Sequence, residues 1–561
     1  MSVRDKKSRA EGIDLSDERL LDMAAAMLDE HNLTGALKML NKNAEINYDD
    51  ERSFMLYAET YDDMGLYERS INYWFRYLDE SPEGDLEDAY EGLAVDYMNL
   101  DNEHFAAYYY NKMLMESGDL TAENRRDIID SFLRRQENPL RFAYPPQIAD
   151  YSAEMARGVQ LMREQQFDKA IAEFDKVAEG NPRYLSARNY IAMCNIINDK
   201  CEEAEAECLS ILKKKPDDVQ ALTTLAAVKT EQKKAEDGRE LALKLYNLNA
   251  KEPDDIYKIA TVCCENKLHD KAYELFCKLE GEFAYDTSVL YFKAISAYNC
   301  GKYDKSFAAF DKILAINPDA VVARYYYMRA KDNVREGNTE EFSYFYRLPQ
   351  SMRESSLEFI SAYYRLSGRA ARKIAGEVNI LDCVKWCFDE TESSEENQLH
   401  LVAALCAVKG GYDDYVRALL LNAFLADSLK IAVVHDLCAR NEDNQFGVVI
   451  CNIYKSIDIY ALHIGRLKRK YFIQAYSTLI SRFAILEEGY SSKFCSATER
   501  LYRNMSKKGN LGRAADVKAL AAAIFTVSGV RESSVPQGNV CSFFDADEGV
   551  YNDIMEAMQW E

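Results

Sequence analysis

The sequence predicts an all-α protein, a solenoid of helix–turn–helix repeats that passes into a degenerate α-helical C-terminal half. Three observations predict it. Ala170, Ala204, Ala272 and Ser306 share one slot of a 34-residue beat, and Pro182 and Pro216 close their units on the same beat. A period of that length marks helix pairs that cannot bury their apolar faces alone and stack into one continuous core. The 561 residues include only 10 Pro and 24 Gly, so little interrupts long helices. Apolar residues make up 48% of the chain and recur at helical spacing.

The elements follow in order. Residues 1–16 are a polar N-terminal arm. Residues 17–120 hold three repeats, over 17–50 (with Ala24 and Ala36), 51–84 and 87–120. Residues 121–150 break the beat: a helix capped by Thr121 leads into a joint where Pro139, Pro145 and Pro146 stop helix formation. A second array of about six repeats spans 151–345, with units beginning near 151, 185, 219, 253, 287 and 323. The unit at 219 reads as carrying a short insertion around Lys233–Gly238, and the unit at 253 lacks its closing Pro. Residues 346–530 read as an all-helical, degenerate continuation, since terminal repeats are atypical. Residues 531–561 read as a linker and a short acidic tail helix with Tyr551, Ile554, Met555 and Met558 on one face and Trp560 at its end.

The second unit places Phe54, Tyr57–Ala58 and Tyr61 on its first helix, then Gly65, Tyr67, Ser70, Trp74 and Pro82. The third carries Leu93–Ala94, Tyr97, Ala106 and Tyr110 at matching places. Gly158, Phe167, Ala170, Phe174 and Pro182 repeat the pattern, as do Ala294, Gly301, Tyr303, Phe310 and Pro318. Small residues fall where two helices cross closely, and large ones plug the gap to the next unit. This pattern resembles the tetratricopeptide repeat (TPR) family over roughly 60% of the chain, in the manner of a bacterial-type multi-repeat scaffold. The resemblance implies a superhelix whose first helices line a concave groove, with no cofactor and no catalysis. Fold of this kind does not itself deliver function.

The family's frame assigns groove residues. In the first array they are Glu59, Asp62, Asp63, Asp88 and Glu91, with Asp29: an acidic groove suited to a basic partner. The alternative is a solvated face that keeps the protein soluble. In the second array they are Asn189, Thr223, Thr230, Tyr257, Thr261, Tyr291, Tyr298, Asn299 and Tyr327: a neutral groove of hydroxyls and amides that can bond an extended peptide backbone. The alternative is that several of the tyrosines are core between repeats. The Lys, Arg and Asn pattern with which some family members hold a C-terminal carboxylate is missing; Met155, Val159, Asn189 and Met193 take those slots.

The net charge is −24, which disfavours non-specific binding of nucleic acid or anionic membrane. Residues 1–340 hold 44 Lys and Arg against 65 Asp and Glu, and residues 341–561 hold 25 against 28. The repeat half therefore carries the acidity. Within the other half, Arg466, Lys468, Arg469, Lys470, Arg503, Lys507 and Lys508 belong to a basic island over 466–518 that also includes Arg482, Lys493, Arg500, Arg513 and Lys518. It suits a phosphate-bearing partner, docking onto the acidic array, or ordinary solvated helix faces.

The start of the chain lacks the apolar stretch of a secretory signal, and runs such as Ala519–Val527 are too short to span a bilayer. With 14 Cys in helical patterns and no paired-loop spacing, a cytoplasmic, reduced protein is expected. Phosphate-binding glycine loops, His-Glu-x-x-His and Gly-x-Ser-x-Gly are absent from the sequence. Cys383 and Cys387, and Cys194, Cys201 and Cys208, lack the partners of a four-ligand metal shell. Asp545, Asp547, Asp553 and Glu556 imitate a calcium loop, but Val550 stands where its glycine belongs. The expected function is a non-enzymatic scaffold or adaptor for a protein or peptide partner. The competing expectation is a regulatory protein whose basic C-terminal region contacts nucleic acid or another anionic partner.

Overall fold

The computed structural model describes residues 17–47, 50–81, 86–118, 121, 151–377, 379–389, 396–487, 489–532, 535 and 540–558. The polar arm, the proline joint, Pro82, Glu488 and Trp560 lie outside them. The chain divides into two compact units. One combines the first array with everything from Leu348 onward, and the other ends at Arg347.

In the first unit, three antiparallel helix pairs follow one another: α1 (Asp17–Asp29) with α2 (Leu33–Ala44), α3 (Glu51–Asp63) with α4 (Tyr67–Glu80), and α5 (Leu86–Asn99) with α6 (Glu103–Glu116). Asp50 caps α3 by accepting from the Ser53 amide at 3.0 Å, which satisfies one of the helix's orphan donors. Phe54, Trp74, Phe75, Tyr97 and Tyr109 are buried in one continuous core. The crossing is close: a Cβ on Gly92 would stand 2.3 Å from the Trp74 ring.

The second unit holds the pairs α7 (Ser152–Arg163) with α8 (Phe167–Phe174), α9 (Tyr184–Ile197) with α10 (Cys201–Lys214), α11 (Val219–Glu231) with α12 (Ala235–Asn247), α13 (Pro253–Glu265) with α14 (His269–Glu282), and α15 (Thr287–Asn299) with α16 (Tyr303–Ile316). A longer helix, α17 (Val321–Glu336), ends the series. First helices begin at Val219, Pro253, Thr287 and Val321, each 34 residues after the last. Asp218 and Asp286 cap α11 and α15 through the Ala221 and Val289 amides.

Here the structure corrects the sequence reading. The unit at 219 contains no insertion. Gly238 occupies the beat's missing place between Ala204 and Ala272, and is buried like them. A Cβ there would stand 2.8 Å from Asn266 Oδ1, so a small residue is needed there as at the other crossings. The turn inside each unit keeps the same beat, with Gln165, Asp199, Lys233, Lys267 and Gly301 all in the left-handed region at φ of 56–77°. Only one of the five is glycine, so the conformation is imposed by the packed helices against a side-chain cost of about 1 kcal/mol per residue.

From Leu348 the first unit resumes with α18 (Gln350–Tyr364), α19 (Gly368–Glu377), α20 (Leu381–Asp389), α21 (Glu396–Gly410), α22 (Asp413–Leu420) and α23 (Asp427–Ala439). Where a helical continuation was expected, β1 (Asn444–Ile450) pairs antiparallel with β2 (Ile453–Ile459). Cys451 and Asn452 join them at φ of 51° and 57°, the two left-handed residues a type I′ hairpin turn requires. The β-branched run Val448-Val449-Ile450 is buried. Then follow α24 (Arg469–Leu479), continuing as π-helix over Ile480–Ala484, α25 (Tyr490–Lys508), α26 (Val517–Ser528), α27 (Val540–Phe544) and α28 (Glu548–Met555). No helix among the described residues is long and apolar enough to cross a membrane.

Candidate functional site: two repeat faces

The second array ends unusually. After α17, Gly337 takes a left-handed conformation at φ 72° and the chain turns without starting a second helix. Residues 338–347, Asn-Thr-Glu-Glu-Phe-Ser-Tyr-Phe-Tyr-Arg, run non-helically across the face made by the first helices of the last three units. The segment is held by its backbone. Asn299 donates to the Phe342 carbonyl at 2.9 Å and accepts from the Phe342 amide at 2.8 Å. Tyr291 donates its hydroxyl to the Phe345 carbonyl at 3.2 Å, and Tyr326 donates to the Arg347 carbonyl at 3.1 Å.

Side chains add selectivity. Phe342, buried, stacks on Tyr298 with ring centroids 4.1 Å apart. Tyr298 accepts from the Asn333 amide at 3.0 Å, which fixes the ring. Tyr344 lies near-parallel to His269 and to Phe292, and its hydroxyl stands 2.8 Å from His269 Nδ1. His269 Nε2 stands 3.0 Å from a Glu341 oxygen, and Lys267 reaches the other oxygen at 3.0 Å. Neutral His269 therefore donates through Nε2 and accepts at Nδ1; burial lowers its pKa, with Glu341 opposing. Arg329 grips Glu340 through Nε and Nη2 at 3.1 and 2.9 Å. Ser343 and Phe345 point outward and are exposed.

Of the residues read as this groove, Tyr291, Tyr298 and Asn299 meet the segment. Tyr257, at the array's surface, lies edge-on to Phe276 and Phe292. Thr261 bonds its own helix at the Lys258 carbonyl, Thr230 does the same at Ala226, and the Thr223 hydroxyl is closed in without a partner. Asn189 is a correction: it is buried and gives its amide to Asp218 at 3.1 Å, tying one unit to the cap of the next. Tyr327 is a second correction, because its hydroxyl goes to Asp311 and neighbouring Tyr326 serves the segment. His269, Tyr326 and Arg329 were missed. Tyr325-Tyr326-Tyr327 offers three equivalent candidates, and only helix phase distinguishes them.

The first array carries its acids differently. Glu59 and Asp62 are half-buried on α3, while Asp63, Asp88 and Glu91 are exposed. Burial raises the Glu59 pKa, and the charges of Asp88, Asp63 and Asp29 add to it. Sequence reasoning missed Asp96, fully buried on α5. Ser70 and Asp62 are its polar neighbours, but no donor meets hydrogen-bond geometry with either oxygen. Burial pushes its carboxyl up to about 8, and the Asp62 charge adds to the rise; Asp62 is itself raised, chiefly by burial.

The same unit seats its β-hairpin on the array. Tyr97 and Tyr109 donate to Asn452, to the side-chain oxygen at 3.0 Å and to the carbonyl at 2.6 Å. Tyr454 donates to Asp79 at 2.9 Å, Arg417 pairs with Glu80 at 2.9 Å, and Asn72 accepts the Ala423 amide.

The basic island lies mostly on exposed helix faces. Arg513 pairs with Asp553 and Lys518 with Asp545, while Lys508 donates to the Glu556 carbonyl and Arg500 to that of Val527. Lys468 and Lys470 flank the Tyr471 ring, and Arg466, Arg503 and Lys507 are exposed. Three of its members, Lys508, Arg513 and Lys518, thus meet the acidic tail, and the remainder matches solvated helix faces. The tail's calcium-like pattern is used up the same way, since Asp547 caps α28 at the Val550 amide. Among the described residues no cluster of His, Cys, Asp and Glu could hold a metal ion, and the cysteines are free thiols.

Paired helices of 34-residue period with small residues at each crossing make this a tetratricopeptide-repeat fold. No protein-family model and no curated protein matches the sequence. Solved structures do. One is YrrB, described as a TPR protein with an unusual peptide-binding site, at 15% identity and TM-score 0.25, with 32% of this chain and 91% of that chain covered. Another is described as the TPR2AB-domain:pHSP90 complex of yeast Sti1, at 16% and 0.19, covering 48% and 98%. A third is the human IFIT1 dimer with PPP-AAAA, at 15% and 0.26, covering 75% and 100%. The likeness is one of fold alone.

Proposed function

We propose that this protein is a non-enzymatic scaffold or adaptor that holds protein partners on its repeat faces, working as a soluble cytoplasmic protein. One observation carries the reading: the second array grips a non-helical stretch of chain by its backbone, with Asn299 bonding both the amide and the carbonyl of Phe342. Such contacts are available to any peptide, and the flanking aromatics and charges then select. The first array complements this with carboxylates whose mutual repulsion a basic partner would relieve. Nucleic acid is the weaker alternative, because Lys508, Arg513 and Lys518 are already committed to the tail.

Affinity capture from a cell lysate tests the reading, using the wild type and a variant carrying Asp63→Lys, Asp88→Lys and Glu91→Lys. The account expects proteins that wild type retains at low salt and the variant loses. Identical sets from both would contradict the acidic face as a partner site.

A further inference from the structure

We propose that residues 338–347 are a resident ligand of the second array, and that the groove accepts in their place a partner peptide of the same chemistry. That chemistry is two adjacent carboxylates followed by aromatic residues at alternate positions, in an irregular chain that bends over its last four residues. The proposal rests on the reading of the arrays as peptide-holding surfaces and names the ligand class of one of them.

The contacts divide as recognition requires. Asn299, Tyr291 and Tyr326 bond main-chain atoms at Phe342, Phe345 and Arg347, groups that every peptide carries whatever its side chains. The remaining contacts read side chains. Arg329 takes Glu340, Lys267 and His269 take Glu341, Tyr298 stacks on Phe342, and His269 with Phe292 receives Tyr344. Phe342 and Tyr344 turn inward while Ser343 and Phe345 are exposed, and the chain then bends over Tyr344–Arg347, where the Arg347 amide bonds the Phe345 carbonyl at 2.8 Å. These groove residues come from α13–α17, so the site is complete without the segment.

The segment is also built to leave. It belongs to no helix or sheet, and Gly337 supplies a left-handed pivot before it. Releasing it breaks a handful of contacts and leaves the helix pairs intact, which places its opening at the low end of local unfolding energies. While it is bound, its attachment gives an effective concentration on the order of millimolar. A free peptide of equal intrinsic affinity is therefore held off by the fraction of molecules that are closed. Occupancy in cis thus sets a threshold that only a well-matched or high-concentration partner crosses.

The test uses the full chain and a fluorescent peptide with the sequence of residues 338–347. Two opened variants are compared with wild type: Phe342→Ser with Tyr344→Ser, and the milder Glu340→Lys with Glu341→Lys, whose sites are exposed. By fluorescence anisotropy the first should bind the peptide at least about tenfold more tightly than wild type, and the second about threefold. Asn299→Ala added to either should remove the gain, and a peptide with Ser at its two inward aromatic places should not bind. If both opened variants keep their helical circular dichroism yet bind no peptide, the segment is a permanent clasp and the proposal is overturned. Loss of cooperative folding in both variants, or exchange of segments within a dimer by size-exclusion chromatography, overturns it as well. Partner capture through the acidic first array is independent, so its persistence would leave the scaffold reading standing.

Discussion

The two arrays share a repeat but differ in what the faces of their first helices carry. The first concentrates like charge: Glu59, Asp62 and Asp63 on one helix stand near Asp88 and the buried Asp96, and burial with mutual repulsion keeps several of them reluctant to ionise. The second presents neutral donors and acceptors beside the cations Lys267 and Arg329, and these are already satisfied by the chain's own residues 338–347. Charge crowding costs stability until a cation arrives, whereas a satisfied amide costs nothing until its ligand leaves. The difference teaches that one repeat frame can be tuned for attraction at a distance or for stereospecific grip, by changing a few positions on its first helices.

The largest way to break the comparison is Asp96→Asn, which replaces a buried acid by a neutral shape-match. Because the folded pKa is raised to about 8, the native state holds a proton that the unfolded state sheds above its ordinary carboxylate value. Asp96 therefore imposes no penalty at pH below about 4, and one that grows as pH rises from there to about 8. The variant should be more stable than wild type at pH 8, by up to roughly 5 kcal/mol, and match it at pH 4. An unchanged difference across that range would remove Asp96 as a titrating group.

Next is Asn299→Ala. It strips two hydrogen bonds from Phe342 and leaves both backbone groups poorly satisfied, about 3 kcal/mol of local stability. Chymotrypsin cleavage within 338–347 should rise roughly a hundredfold, with the first array's cleavage pattern unchanged.

Tyr97→Phe should cost about 1 kcal/mol by chemical denaturation, through the lost bond to Asn452 at the hairpin turn. The smallest effect is expected for Lys233→Gly in the second array. It relieves a left-handed side chain, but the glycine loses more entropy on folding, so the net gain should stay within about 0.5–1 kcal/mol.

Much of this was legible in the sequence. The beat of Ala170, Ala204, Ala272 and Ser306 reflects helix crossings that admit only small side chains, and such constraints are local enough to read. Gly238 completes that beat, yet a glycine in the polar run from Lys233 to Arg239 looks like a loop until the helix pair is seen. Tyr291, Tyr298 and Asn299 could be named from the repeat frame because each sits a fixed number of residues from a crossing. The ligand they hold could not, since Glu-Glu-Phe-Ser-Tyr has no signature apart from the groove that selects it. The hairpin escaped for a related reason. Its turn uses Cys451 and Asn452 instead of Asn-Gly, and what fixes it is the first array's Tyr97 and Tyr109, more than 340 residues earlier in the chain.

Native-state hydrogen exchange at the Phe342 amide tests the central claim most directly. That amide lies in an irregular segment and has one partner, the Asn299 side chain. The account predicts protection of at least about a hundredfold in wild type, lost in Asn299→Ala while amides of α15 stay protected. Exchange of Phe342 at the rate of an unstructured chain in the wild-type protein would contradict it.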